Sequence, residues 1–92
     1  MHIYLACFDI IDDKNRDRAG KKLLAYGERV QKSVFEIALR RPQELEEIRQ
    51  KLRPLLEEGD DLRLYRLCAD CRSQSSDIKG ERLAQFPAAV VV

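Results

Sequence analysis

Apolar and polar positions alternate along this chain in blocks whose period changes. Residues 3–8 form an unbroken apolar run rich in β-formers, of a length that suits a strand buried on both faces. The run ends at Asp9, and Ile10-Ile11-Asp12-Asp13 then supplies a helix start with Asp12 or Asp13 as N-cap. Ala19, Leu23 and Tyr26 follow at helical spacing, and Gly27 stands where a left-handed C-cap is wanted. The pattern predicts a helix over 13–26 with most of its basic side chains on the outer face. Residues 29–39 read as strand with a break near Lys32 and Ser33, either two strands with a very tight connection or one bent strand. Pro42 suits a first helical turn, after which Leu45, Ile48, Leu52 and Leu55 or Leu56 mark one apolar stripe with charges opposite. Glu47 and Lys51 make an i,i+4 pair in the favourable order. Pro54 ends or kinks that helix near Arg53, and Gly59 with Asp60 is the stop. Residues 62–67 are a further strand, 68–76 are polar and irregular, and Ile78 is expected to begin a short closing strand before Gly80. Beyond Pro87, the run 88–92 is small and β-branched.

The order β-α-β-β-α-β is the ferredoxin-like split βαβ arrangement, an α/β (α+β) fold. Right-handed crossovers place both helices on one face of a four-stranded antiparallel sheet and leave the other bare. A bare face plus an apolar terminal strand makes a symmetric dimer the expected state. The 92 residues form one domain; a chain this short buries only about 60–65% of its unfolded surface, so an interface would add to a thin core. The fold itself selects no function.

Composition narrows the classes. Cys7, Cys68 and Cys71 are too few and too odd in number for a secreted disulfide framework. No signal-peptide pattern opens the chain, and its apolar runs fall far short of a membrane span. We expect a cytoplasmic protein with no membrane role. Net charge is only +1, but the total hides an asymmetry. Seven basic residues between Lys14 and Lys32 face only Asp17 and Glu28, whereas seven acids between Pro42 and Asp61 oppose Arg49, Lys51 and Arg53. Opposite ends of the domain can therefore carry opposite fields, the basic one suited to phosphates. Two solvated helix faces would explain the same charges.

Asp9 is the most informative position. An acid directly after a buried strand sits at the strand's C-terminal mouth, with Asp12 and Asp13 in the same loop. Oxygen ligands of this kind suit Mg²⁺ or Mn²⁺. One carboxylate per chain is a poor metal site, whereas two copies facing across a dimer axis would be adequate. For Asp12 and Asp13 plain helix capping is the stronger reading; for Asp9 a purely structural reading is weaker, because an acid ending a buried strand needs a partner or solvent. Arg16, Arg18 and Arg29 flank this loop in sequence and are suited to bidentate phosphate contact. The pair Cys68-Ala-Asp-Cys71 lacks the further ligands zinc needs and a thioredoxin-like context in which it would open a helix after the first strand; we read it as a loop pair without cofactor. With His2 as the lone histidine there is no Ser/His/Asp arrangement, so hydrolysis would use metal-activated water.

These residues resemble a known family. Leu5-Ala-Cys-Phe-Asp9-Ile-Ile-Asp-Asp-Lys14 is similar to the opening strand and loop of the CRISPR-associated protein two family. Tyr26-Gly-Glu-Arg29-Val-Gln31-Lys-Ser33-Val-Phe35-Glu36 is similar to its second block, and Leu62-Arg-Leu-Tyr65-Arg-Leu-Cys68 to its late strand. Phe8 and Lys32 depart from the aromatic residues common at those places, and Lys32 weakens any case for base stacking there. The resemblance implies a ferredoxin-like homodimer with sheets face to face and an extra C-terminal strand paired with the partner chain, so that residues 1–80 are the domain and 81–92 the extension. It implies that Asp9 faces its symmetry mate as the Mg²⁺ ligand and catalytic residue of a metal-dependent endonuclease acting on RNA or DNA. It further implies a spacer-acquisition role in which the dimer bridges the CRISPR integrase, CRISPR-associated protein one, and holds protospacer DNA. Arg16, Arg18, Arg29 and Phe35 would then support the cleft. A toxin-type ribonuclease and a non-catalytic ferredoxin-like interaction module are the competing expectations.

Overall fold

A computed structural model of the chain describes residues 1–81. In order along the chain it contains β1 (His2–Asp9), α1 (Asp13–Leu24), β2 (Gly27–Gln31), β3 (Val34–Leu39), α2 (Gln43–Leu52), a 3₁₀ turn (Arg53–Leu55), β4 (Asp61–Leu67) and α3 (Ala69–Ser73). The sheet is antiparallel with strand order β2-β3-β1-β4. This is the split βαβ topology expected from the sequence, with β1 in the interior of the sheet.

Strand parity divides the sheet into two faces. Ala6 and Phe8 of β1 join Phe35, Ile37 and Leu39 of β3 in one core, against Ala19 and Leu23 of α1 and Ile48 and Leu52 of α2. Tyr4, Leu62 and Leu64 pack partly against it. The odd-numbered residues of β1 and β4, with Val34, Glu36 and Ala38 of β3, therefore face away from the helices. Register sets Leu5 opposite both Glu36 and Tyr65, and Asp9 opposite Asp61. No helix among the described residues is long and apolar enough to cross a membrane.

Local chemistry explains the boundaries. Asp12 caps α1 by accepting the Asn15 backbone N–H at 2.8 Å. Glu44 folds back to accept the N–H groups of Arg40 and Arg41 at 3.0 and 3.1 Å, which satisfies donors ahead of α2. Pro54 ends α2 in the 3₁₀ turn, because its ring cannot continue an α-helical ladder. The break at Lys32 and Ser33 resolves as two strands, with a bulge between Arg29 and Gln31.

Three expectations need correction. Gly27 is not a left-handed cap: α1 ends at Leu24 with Ala25 in right-handed helical geometry. Gly27 opens β2, where a Cβ would lie 2.0 Å from the Glu36 carbonyl oxygen, so its missing side chain permits close strand approach. The polar stretch after β4 is not irregular throughout, since Cys68 caps the short helix α3. Ile78 starts no strand. It is fully exposed in a turn in which the Asp77 carboxylate accepts the Lys79 and Glu81 N–H groups, both at 2.9 Å. The run 88–92 lies outside the described residues, as does the extension from residue 82 onward.

The face away from the helices is not wholly bare. Glu36 is only 2% exposed, and the Arg72 Nε of α3 donates to its carboxylate at 2.7 Å. The Arg72 side chain of α3 therefore reaches over the middle of that face. Among the described residues, the end of β1 and β4 on that face carries the exposed Asp9, Asp61, Arg63 and Tyr65.

Candidate functional site

The site is built on the last residue of β1. Asp9 is exposed, and among the described residues its carboxylate makes no hydrogen bond or ion pair. Everything beside it is held. Arg16 reaches back from α1 so that Nη1 donates to the Ile10 carbonyl at 3.0 Å and the Ile11 carbonyl at 3.4 Å, while Nη2 pairs with Asp13. Asp60, just ahead of β4, accepts the Ile11 N–H at 3.0 Å and the Glu57 N–H at 2.9 Å. These two backbone donors hold the Asp60 carboxyl below the usual carboxylate range. The loop leaving β1 is thus fixed from both sides, which preorganises the Asp9 backbone while leaving its side chain available.

Asp61 stands opposite Asp9 across the β1–β4 ladder. Its carboxylate is engaged by Arg63, whose Nε donates at 2.8 Å and whose Nη1 reaches the Tyr65 hydroxyl at 3.4 Å. Of the two neighbouring acids, Asp9 is the one without a cationic partner. No group of three or more His, Cys, Asp or Glu side chains gathers among the described residues, so one chain offers this position only a small set of oxygen donors.

The basic candidates do not converge on Asp9 within one chain. Arg16 is a clamp on the β1–α1 loop. Arg18 is exposed on α1. Arg29 lies on the helix side of the sheet, with its guanidinium carbon 5.0 Å from the centre of the Phe35 ring. Gly20 of α1 leaves room for it, since a Cβ there would lie 2.7 Å from the Arg29 Nη2. Phe35 is fully buried and stacks on Phe8 with ring centres 5.9 Å apart, so it supports Arg29 and does not line an open cleft. Asp9 and Arg29 therefore occupy opposite faces of the sheet.

Sequence reasoning missed Asp60 and Asp61. The signal was present as two adjacent acids after Gly59, at the start of a strand that must run antiparallel to β1. Reading Gly59 and Asp60 as a helix stop hid the position of this acid pair beside the β1 terminus.

Comparisons with known proteins agree on one family. The family model described as CRISPR associated protein Cas2 matches residues 1–75. CRISPR-associated endoribonuclease Cas2 1 of Chloroflexus aurantiacus is 51% identical over 73 residues, covering 77% of each chain. A chain of a partial Cas6-RT-Cas1–Cas2 complex is 38% identical and matches the whole of both chains with a TM-score of 0.83. Streptococcus pyogenes Cas2, crystallised at pH 6.5, is 27% identical with a TM-score of 0.74, covering 83% of this chain and 98% of that one. Sequence and fold agree over nearly the same residues, and the chain belongs to the CRISPR-associated Cas2 family.

Proposed function

We propose that this chain is a CRISPR adaptation subunit: a symmetric homodimer that bridges the integrase, CRISPR-associated protein one, and holds protospacer DNA. Its Asp9 carboxylates support metal-dependent endonuclease cleavage of a phosphodiester. The carrying observation is that Asp9 is exposed and unengaged at the end of an interior strand whose neighbouring loop is fixed by Arg16 and Asp60. A family-related chain from a Cas1–Cas2 complex and a relative named an endoribonuclease support the two halves of the proposal.

The uncovered part of the sheet face is where a second copy would sit. It carries half-buried Cys7 and half-exposed Tyr65 beside Asp9, so packing there would bury apolar and aromatic surface and bring two Asp9 side chains toward one axis. An all-oxygen donor set from two chains fits Mg²⁺, or Mn²⁺, which accepts one or two carboxylates and retains waters. When bound, such an ion polarises phosphoryl oxygens and lowers the pKa of an attacking water. The basic side chains do a different task on the other side of the sheet. Lys14, Arg18, Lys22 and Arg29 are exposed there or along α1 and present positive charge to a duplex backbone.

Duplex binding tests the holding role. Affinity is expected to fall linearly on a log–log plot against salt, and the integrase should co-purify with the dimer. Affinity flat with salt together with no recovery of the integrase would contradict the proposal.

A further inference from the structure

The pair Cys68 and Cys71 lies apart from the Asp9 site and has no part in the activity proposed above. Both thiols are exposed and free. They stand at the β4–α3 junction, where Cys68 caps α3 and its Sγ accepts the backbone N–H of Cys71 at 3.2 Å. The Cys68 sulfur is therefore folded over the first turn of the helix, onto the side where the residue three positions later emerges. A C-x-x-C pair opening a helix is an environment that favours the thiolate, the species that attacks in thiol–disulfide exchange.

We propose that Cys68 and Cys71 form a reversible dithiol–disulfide site that reacts with low-molecular-weight disulfides, with Cys68 as the attacking thiolate and Cys71 as the resolving thiol. The Cys68 sulfur attacks one sulfur of the small disulfide, whose S–S bond breaks and releases a first thiolate. Cys71 loses its proton and attacks the Cys68 sulfur of the mixed disulfide, releasing the second. One small disulfide is reduced to two thiols and the protein dithiol is oxidised to one disulfide.

The electrostatics favour this division of labour. Hydrogen bonds from the Cys71 side chain and then its backbone N–H hold the Cys68 thiol below its usual range, whereas Cys71 is pushed up by the bond it gives to Cys68 and by the charge of that sulfur. Cys7, on β1, is an internal control because burial pushes its thiol up. Closing the ring would staple the first turn of α3. The next residue is Arg72, which anchors α3 on Glu36, so the oxidised pair would also hold this segment more firmly on the sheet.

Glutathione disulfide is the probe, followed by intact-mass analysis of the full-length protein. Wild type should lose two hydrogens and carry no adduct. Cys71→Ser should accumulate one glutathione on Cys68, and Cys68→Ser should react far more slowly. Bimane labelling of Cys68 in Cys71→Ser should reach half its maximal rate at a lower pH than labelling of Cys71 in Cys68→Ser. Amide exchange across residues 71–75 should slow on oxidation. Equal reactivity of the two variants, or wild type that carries two glutathiones and forms no internal disulfide, would overturn the assignment. Zinc co-purifying with wild type and lost in both variants would replace it with thiolate metal ligation.

Discussion

At the end of β1 two side chains decide where Asp9 sits. Arg16 holds the Ile10 and Ile11 carbonyls, and Asp60 holds the Ile11 and Glu57 N–H groups. Asp60 does this only as a carboxylate acceptor held below its ordinary range. Its folded pKa lies under the unfolded value of about 3.9, so its contribution is complete above that value and is lost as pH falls through the folded one. Asp60→Asn keeps an oxygen but cannot ionise. Its denaturant-unfolding stability should therefore decline less steeply than wild type below about pH 4, with the two profiles running parallel near neutrality. Phe35 offers a contrasting test. Phe35→Ala removes a fully buried ring and should cost about 3–5 kcal/mol of stability in the same assay, whereas Arg29→Ala should leave the midpoint nearly unchanged and weaken duplex binding.

Among the elements, α3 has the least local cause to exist. It spans five residues, buries none of them, and is shorter than an isolated helix can sustain. The Cys68 cap and the Glu36–Arg72 pair hold it. Arg72→Ala would strand Glu36, which is 2% exposed, and removing one partner of such a pair is expected to cost about 3 kcal/mol. Hydrogen exchange should locate the loss by accelerating residues 69–76 while α1 stays protected. The same element explains why sequence reading worked in some places and failed in others. β1, β3 and α2 carry long apolar patterns, and packing follows pattern, so their positions were legible. α3 carries no apolar stripe; its stability comes from a residue 36 positions earlier in the chain, which no local window contains. Gly27 misled for a similar reason, because its role is defined by the β3 backbone beside it. Of the candidate site, the place of Asp9 at the end of the first strand was legible, while its exposure without a partner within the chain was one of two outcomes left open. That Arg16 is a loop clamp and that Arg29 faces the other side could be known only once the strands were in register.

On the scale of the whole molecule, the sheet separates the two surfaces that the proposed function uses. Its helix side and α1 present exposed cations, while on its opposite face the Arg72 side chain covers Glu36 and, among the described residues, Asp9, Asp61, Arg63 and Tyr65 are exposed. A duplex held along the first surface and a second copy seated on the other would not compete for the same residues. Removing one phosphate contact should therefore lower the salt slope of duplex binding by about 0.9. Arg18→Ala should show this loss across unrelated DNA sequences, with the dimer retained in analytical ultracentrifugation. If Arg18→Ala instead dissociated the dimer and left the slope untouched, the two surfaces would have been exchanged.

In the proposed function, phosphodiester cleavage depends on the Asp9 carboxylate. The direct test compares cleavage of labelled RNA and DNA by wild type and Asp9→Asn, each with Mg²⁺ or Mn²⁺ and each confirmed as a folded dimer. Cleavage should drop more than about 100-fold in the variant, with sedimentation and duplex affinity unchanged. Equal cleavage by the two proteins would contradict the account.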